Sequence, residues 1–184
     1  LTDTGLRGAI HTAVVATADA WIANARTMGY RVVMHPYAPM VWGTGGQPQW
    51  LAPVIYAWDA TGDEKYFAWI VRTFDYTLGA NPLNRSLIVG CGSRTVRAPL
   101  HSSRYSRRGN VHPGIIVQGP HERGHGYRVT EVFHPPVDPR RASLHTFADV
   151  HFAIAMDEGT VELMAKNLAA FAALLPPGPA EHRQ

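Results

Sequence analysis

Roughly 70 residues, from about 79 to 146, read as neither helix nor regular sheet. The stretch is dense in Gly, Pro, Arg and His. Its apolar runs are as short as Leu87-Ile88-Val89 and Gly114-Ile115-Ile116-Val117. Irregular chain of this length is uncommon inside a compact domain, where it is usually functional or disordered. The short β-like runs argue for ordered functional loops. Any fold must therefore carry a large loop assembly on a framework supplied by the flanking residues.

Those flanks have helical periodicity. Leu6, Ile10, Ala13/Val14, Thr17 and Trp21 recur at helical spacing, which predicts a helix over about 5–27 with one apolar stripe and a stop at Gly29. Pro36 and Pro39 then forbid helix, so residues 32–39 are expected to be extended. A second helix is predicted over about 48–60, with Trp50/Leu51, Val54/Ile55 and Trp58 on one face. Gly62 supplies its stop and Asp63 the cap of a third helix carrying Phe67, Ile70/Val71, Phe74 and Leu78. The two helices joined by Thr61-Gly62-Asp63 form an αα-hairpin. Helical spacing returns at about 147–175, through Phe152, Ala155/Met156, Gly159, Leu163, Leu168, Phe171/Ala172 and Leu175, until Pro176-Pro177 stops it. The expected architecture is all-α, with long loops gathered at one end of the helices, and residues 177–184 form a flexible tail.

Composition narrows the class. Of 184 residues, 46% are hydrophobic and 17% charged, too apolar for a disordered chain. No apolar run approaches the roughly 18 residues a membrane span needs, so no membrane partner is expected. Cys91 is the sole cysteine, which excludes an intrachain disulfide and a multi-cysteine zinc site. Leu1-Thr2-Asp3-Thr4 has neither a basic nor an apolar leader region, and the missing initiator Met suggests a cut end. Between Asp75 and Glu122 there is no acidic residue, whereas Arg85, Arg94, Arg97, Arg104, Arg107 and Arg108 all lie there. Such a stretch can bind phosphates, with Tyr105 stacking on a base. No recognisable nucleic-acid module surrounds it, so an arginine-rich loop paired with acids elsewhere is the expectation, without a nucleic-acid partner.

His121-Glu122-Arg123-Gly124-His125 matches H-E-x-x-H. Zinc chemistry requires both histidines on one helical face, with the glutamate as base. Pro120, Gly124 and Gly126 predict a turn instead. A zinc hydrolase is therefore the outlying reading, and no metal or cofactor is expected.

A distributed constellation is more specific. It begins with Asp75-Tyr76-Thr77-Leu78-Gly79-Ala80-Asn81-Pro82 and Leu87-Ile88-Val89-Gly90-Cys91-Gly92. Pro99-Leu100-His101 with Arg104 follows, then His112-Pro113-Gly114-Ile115-Ile116-Val117-Gln118-Gly119-Pro120, and finally Asp149 ahead of Asp157-Glu158. Upstream lie Trp42-Gly43-Thr44 and Ala60-Thr61-Gly62-Asp63-Glu64-Lys65-Tyr66. In this order the elements closely resemble the C-terminal part of glycoside hydrolase family 9, the inverting, cellulase-type family. The resemblance covers about residues 30–175.

The resemblance implies a partial (α/α)6 barrel, with residues 1–176 forming the C-terminal part of a catalytic domain. It implies hydrolysis of β-1,4-glycosidic bonds in a glucan-type polysaccharide or oligosaccharide, and secretion. Glu158 falls at the position of the general acid. His101, Arg104, Trp42 and Asp157 fall at substrate-binding positions, and Tyr37 is a second candidate for stacking on sugar. The family's catalytic base is an Asp in the N-terminal part of the domain, so the missing N-terminal half is an expected partner. An acid catalyst for glycoside cleavage must be held rigidly beside the glycosidic oxygen. Read from its expected helix alone, Glu158 is more readily a solvent-facing glutamate than a catalyst, and it is the family pattern that makes it the acid. Gly159 beside it permits close approach of backbone and ligand. Asp149 is a structural or supporting carboxylate. Four positions depart from the family pattern: the second His of the His-His pair is absent before Arg104, Asp157 replaces Asn, Gln118 to His121 replace a G-G-P-N run, and Leu163 replaces an aromatic. They imply altered substrate choice, or weakened or lost activity. A non-catalytic glycan-binding or degenerate member is accordingly the second reading.

Overall fold

The computed structural model describes residues 3–36, 48–101, 111–120, 147–151 and 153–175. It is helical, and the described residues contain isolated β-bridges in place of strands.

Helix α1 runs Thr4–Thr27, and Asp3 caps it by accepting the Leu6 N–H at 3.0 Å. A single 3₁₀ turn, Pro48–Trp50, leads into α2, Ala52–Thr61. Gly62 ends α2 in the left-handed region at φ 65°, donating its N–H to the Trp58 carbonyl. A Cβ is disfavoured in that conformation, which is why glycine belongs there. Asp63 then caps α3, Glu64–Leu78, by accepting the Lys65 N–H at 2.9 Å. The expected αα-hairpin is therefore present, and its ends follow from the two residues between the helices.

The buried side of α1 is not the expected stripe. Ala18, Ile22 and Ala25 are buried, with Val15 and Trp21 packed beside them, while Leu6 and Ile10 stay 47% and 45% exposed. Helix α1 is so rich in alanine that several faces are apolar enough to be buried. Close approach of α2 selects the face bearing the small Ala18 and Ala25 against Val54 and Ala57. On α3 the core takes Tyr66, Trp69, Ile70, Thr73 and Phe74, while Val71 and Leu78 face outward. The aromatic residues turn inward because their rings bury large apolar areas, and the Tyr66 hydroxyl still reaches Asp19 Oδ1 on α1 at 3.0 Å. Thr73 Oγ1 accepts the Val33 N–H, which lays the extended run after α1 along α3.

The irregular block has a core of its own, made of Val32, Tyr76, Leu87, Val89, Val96, Ile115 and Val117. Burial pushes the Tyr76 phenol above its ordinary pKa range. Asn81 closes the turn after α3: its Nδ2 donates to the carbonyls of Tyr76 and Arg85, and its Oδ1 accepts the Leu83 N–H. Bridges Ser86–Thr95 and Ile88–Ile116 then knit the loops in place of continuous strands.

The last block departs from expectation. A single helical turn, α4 at Ile154–Asp157, is followed by extended chain at Glu158, with φ −70° and ψ 132°. A new helix, α5 at Val161–Ala172, starts from Thr160, whose Oγ1 accepts the Leu163 N–H at 3.1 Å. Glu158 is thus in a linker between helices rather than on the final helix. The carbonyls of Met156, Asp157 and Glu158 are taken by N–H groups of the loop block, which removes them as helix acceptors. Tyr37, Trp42, Arg104, the His121–His125 segment and the tail 177–184 lie outside the described residues.

Candidate active site

Three segments distant in sequence meet at Glu158. The Leu100 N–H donates to the Asp157 carbonyl at 2.8 Å, forming the parallel bridge Leu100–Glu158. From the opposite segment, Gln118 N–H donates to the Glu158 carbonyl at 3.0 Å and Gly119 N–H to the Met156 carbonyl at 2.8 Å. The main chain at Glu158 is held from both sides, and the residue is half-buried. A carboxyl on a fixed backbone with an open end is what proton donation to a bound molecule requires.

Gly159 makes this junction possible. A Cβ there would lie 2.6 Å from Ile115 Cγ2 and 3.1 Å from the Ile116 carbonyl oxygen. The close approach is therefore to the chain's own backbone, where the sequence suggested approach to a ligand. We expect Gly159→Ala to destabilise the fold by about 1–3 kcal/mol, through overpacking at a site that cannot relax without moving Glu158. Denaturant unfolding measures this directly, and a loss below ~0.5 kcal/mol would show that the gap opens freely.

Asp157 differs from its expected role. Its side chain has no solvent-accessible surface, and Oδ2 accepts the Val150 N–H at 2.6 Å. Buried this way it contacts no sugar in this arrangement, and instead anchors segment 147–151 beneath Glu158. Asp149, on that segment, accepts the N–H groups of Arg97 and Ala98 at 3.0 and 2.7 Å and pairs with the Arg85 guanidinium. These bonds hold the run that leads to His101. The structural role expected for Asp149 matches them, since both of its carboxylate oxygens are engaged within the fold.

His101 directly follows Leu100, so the Leu100–Glu158 bridge carries its main chain to the neighbourhood of Glu158. Its ring meets the ring of His112 edge-on, with centroids 5.3 Å apart. His112 was not singled out as a site residue by sequence reasoning. It is 11 positions away and precedes Pro113-Gly114, which reads as turn punctuation. Among the described residues, the Leu100–Glu158 and Ile88–Ile116 bridges hold the segments on which the two imidazoles lie. Among the described residues, no group of three or more His, Cys, Asp or Glu is placed to hold a metal ion.

Comparison with known proteins places this geometry in a family. Residues 8–171 match Glycosyl hydrolase family 9. A cellulose 1,4-beta-cellobiosidase of Acetivibrio thermocellus is 28% identical over 147 residues, covering 72% of this chain and 16% of that protein. Endoglucanase C of Cellulomonas fimi is 34% identical over 86 residues, 46% of this chain and 8% of that protein. The fold is shared with the GH family 9 endoglucanase J30, at TM-score 0.79 and 22% identity over 93% of this chain and 31% of that one. AaCel9A in complex with cellobiose-like isofagomine gives 0.76 and 22%, over 94% and 32%. The chain thus spans under a third of these solved structures and a smaller part of the curated relatives, and its paired helices form part of an (α/α)6 barrel. With its irregular block folded onto those helices as described, the chain belongs to glycosyl hydrolase family 9.

Proposed function

We propose that this chain supplies the general acid of an inverting hydrolase acting on β-1,4-linked glucan. The observation that carries the reading is the position of Glu158: partly open to solvent, with its backbone clamped between the segments that bear His101 and Gln118. The names of its relatives, a cellobiosidase and an endoglucanase, support the substrate class.

In this reading the Glu158 carboxyl gives its proton to the glycosidic oxygen as the C–O bond breaks. A water attacks the anomeric carbon from the opposite face and loses its proton to a second carboxylate, roughly 6.5–9.5 Å from the acid. That base belongs to the part of the barrel outside this chain. His101, with His112 packed against it, would donate to sugar hydroxyls, and Arg104 and Trp42 keep the substrate-binding roles implied by the family pattern. Secretion belongs to the same reading. Among the described residues, no helix is long and apolar enough to cross a membrane.

The test is stereochemical. With the rest of the barrel present, the first product released from a β-1,4-glucan should be the α-anomer, read by proton NMR before mutarotation. A β-anomer as first product would overturn inversion. Saturable glucan binding with no hydrolysis would favour the non-catalytic reading.

A further inference from the structure

A recess whose lining does not include Glu158 lies where the end of α1 and the run after it meet α3. Arg26, Arg31, Ala68, Trp69 and Arg72 line a cleft of about 400 Å³. Arg26 is in the last turn of α1, Arg31 in the run that follows, and Ala68, Trp69 and Arg72 are on α3. All three guanidinium groups are on exposed residues, and none forms an ion pair among the described residues. By register the nearest acid on α3 is Asp75, which also makes no ion pair there.

Two details show how the cleft is built. Arg72 lies over the Trp69 ring, its Cζ 5.3 Å from the centroid, so the guanidinium face is occupied while its N–H edge stays available. Arg31 has φ 48°, a left-handed conformation uncommon for a residue with a long side chain. This turn sends the chain from the end of α1 back along α3, and Arg31 joins the other two at the same cleft.

We propose that this cleft binds a carboxylated sugar, a uronate unit of an acidic polysaccharide, independently of the Glu158 site. Three arginines lining one cleft, without counter-charges among the described residues, call for an anion, and the planar guanidinium fork matches a carboxylate with two parallel hydrogen bonds. The volume points to a ligand larger than a bare ion. It falls within the ~300–1,000 Å³ of small-molecule sites, against a share of about 30 Å³ for one water. Ala68 and the edge of Trp69 offer an apolar floor for a pyranose ring. The choice of a sugar carboxylate over a free phosphate rests on the glycan-directed reading of the protein, whereas the anion-binding character rests on the arginines alone.

Calorimetric titration of the protein with its barrel complete tests this, using trigalacturonate, cellotriose and inorganic phosphate as separate probes. We expect saturable trigalacturonate binding that Arg72→Ala weakens at least about tenfold, with Arg72→Lys recovering little of it, because a lysine keeps the charge without the fork. Cellotriose affinity and glucan hydrolysis should be the same in both variants as in the wild type. Trigalacturonate affinity unchanged by Arg72→Ala would overturn the site. Phosphate binding as tightly as trigalacturonate, with the same sensitivity to Arg72→Ala, would overturn the sugar assignment. Hydrolysis is read separately, so a failure of the Glu158 reading is distinguishable from a failure here.

Discussion

Glu158→Gln should lower hydrolysis of unactivated β-1,4-glucan by about 10²–10⁴-fold in the protein with a complete barrel. The amide preserves the shape of the side chain and removes the transferable proton. The hydrogen bonds that hold this position come from its backbone, Gln118 N–H to its carbonyl and its own N–H to the Ile154 carbonyl, so the variant should fold as the wild type does. The loss should shrink for aryl glycosides with acidic leaving groups, because those depart without protonation. This dependence on leaving group separates loss of an acid from general damage. Near wild-type turnover of glucan by the variant would remove Glu158 from the mechanism.

The second large effect concerns the 184 residues by themselves, which we expect to self-associate and to leave glucan uncleaved. Large apolar side chains stand open along two faces. Ile10 and Tyr56 line a groove of about 490 Å³ between α1 and α2, with Leu6 exposed one turn before Ile10, and Val161, Leu168 and Leu175 lie along and just beyond α5. Burying one such side chain fully is worth roughly 1.5–3 kcal/mol, and a typical domain is stable by only about 5–15 kcal/mol. Contiguous exposed apolar surface of this kind marks an interaction face. In an (α/α)6 barrel each helix is covered by its neighbours in the ring, and this chain spans under a third of the solved chains that share its fold. Analytical ultracentrifugation should show species larger than 20.2 kDa, shifting toward monomer in Leu168→Glu. A monodisperse 20.2 kDa species that cleaves β-glucan unaided would overturn the expectation and would place the catalytic base inside this chain.

The two effects depend on different parts of the structure. Proton donation needs only the few bonds around Glu158, while completeness depends on the faces of α1 and α5. A protein can therefore lose one without the other, and the leaving-group experiment is informative only once assembly has been established.

The sequence was most legible where structure is local. Asp63 caps its own helix two residues on, and Gly62 adopts a conformation that its lack of a Cβ allows, so the α2–α3 hairpin could be read from a few neighbouring letters. The motif order was also legible, because chemistry-bearing residues sit at set intervals in a family whatever the helices do. Thr160, with Glu162 in the first turn after it, was a readable restart signal for α5, but the apolar spacing of Met156, Gly159 and Leu163 carries the helical pattern straight across the break.

Tertiary structure decided everything that rests on pairing between distant segments. Periodicity could not choose among the apolar faces of the alanine-rich α1, because that choice depends on how closely α2 can approach. Glu158 leaves the helix because Leu100, Gln118 and Gly119 compete for the carbonyls around it from 39 to 58 residues away. Asp157 becomes a buried anchor, and His112 reaches His101, through contacts with no local signature. Arg26, Arg31 and Arg72 share a cleft because the run after α1 is laid along α3 by contacts such as Val33 N–H to Thr73 Oγ1. The sequence by itself determined the helices with strong caps, the family and the residue types available for chemistry, because those depend on neighbours along the chain. Which face is buried, which carboxyl stays open and which cations converge was left to the tertiary structure, because each is settled by competition among partners that meet only when the chain has folded.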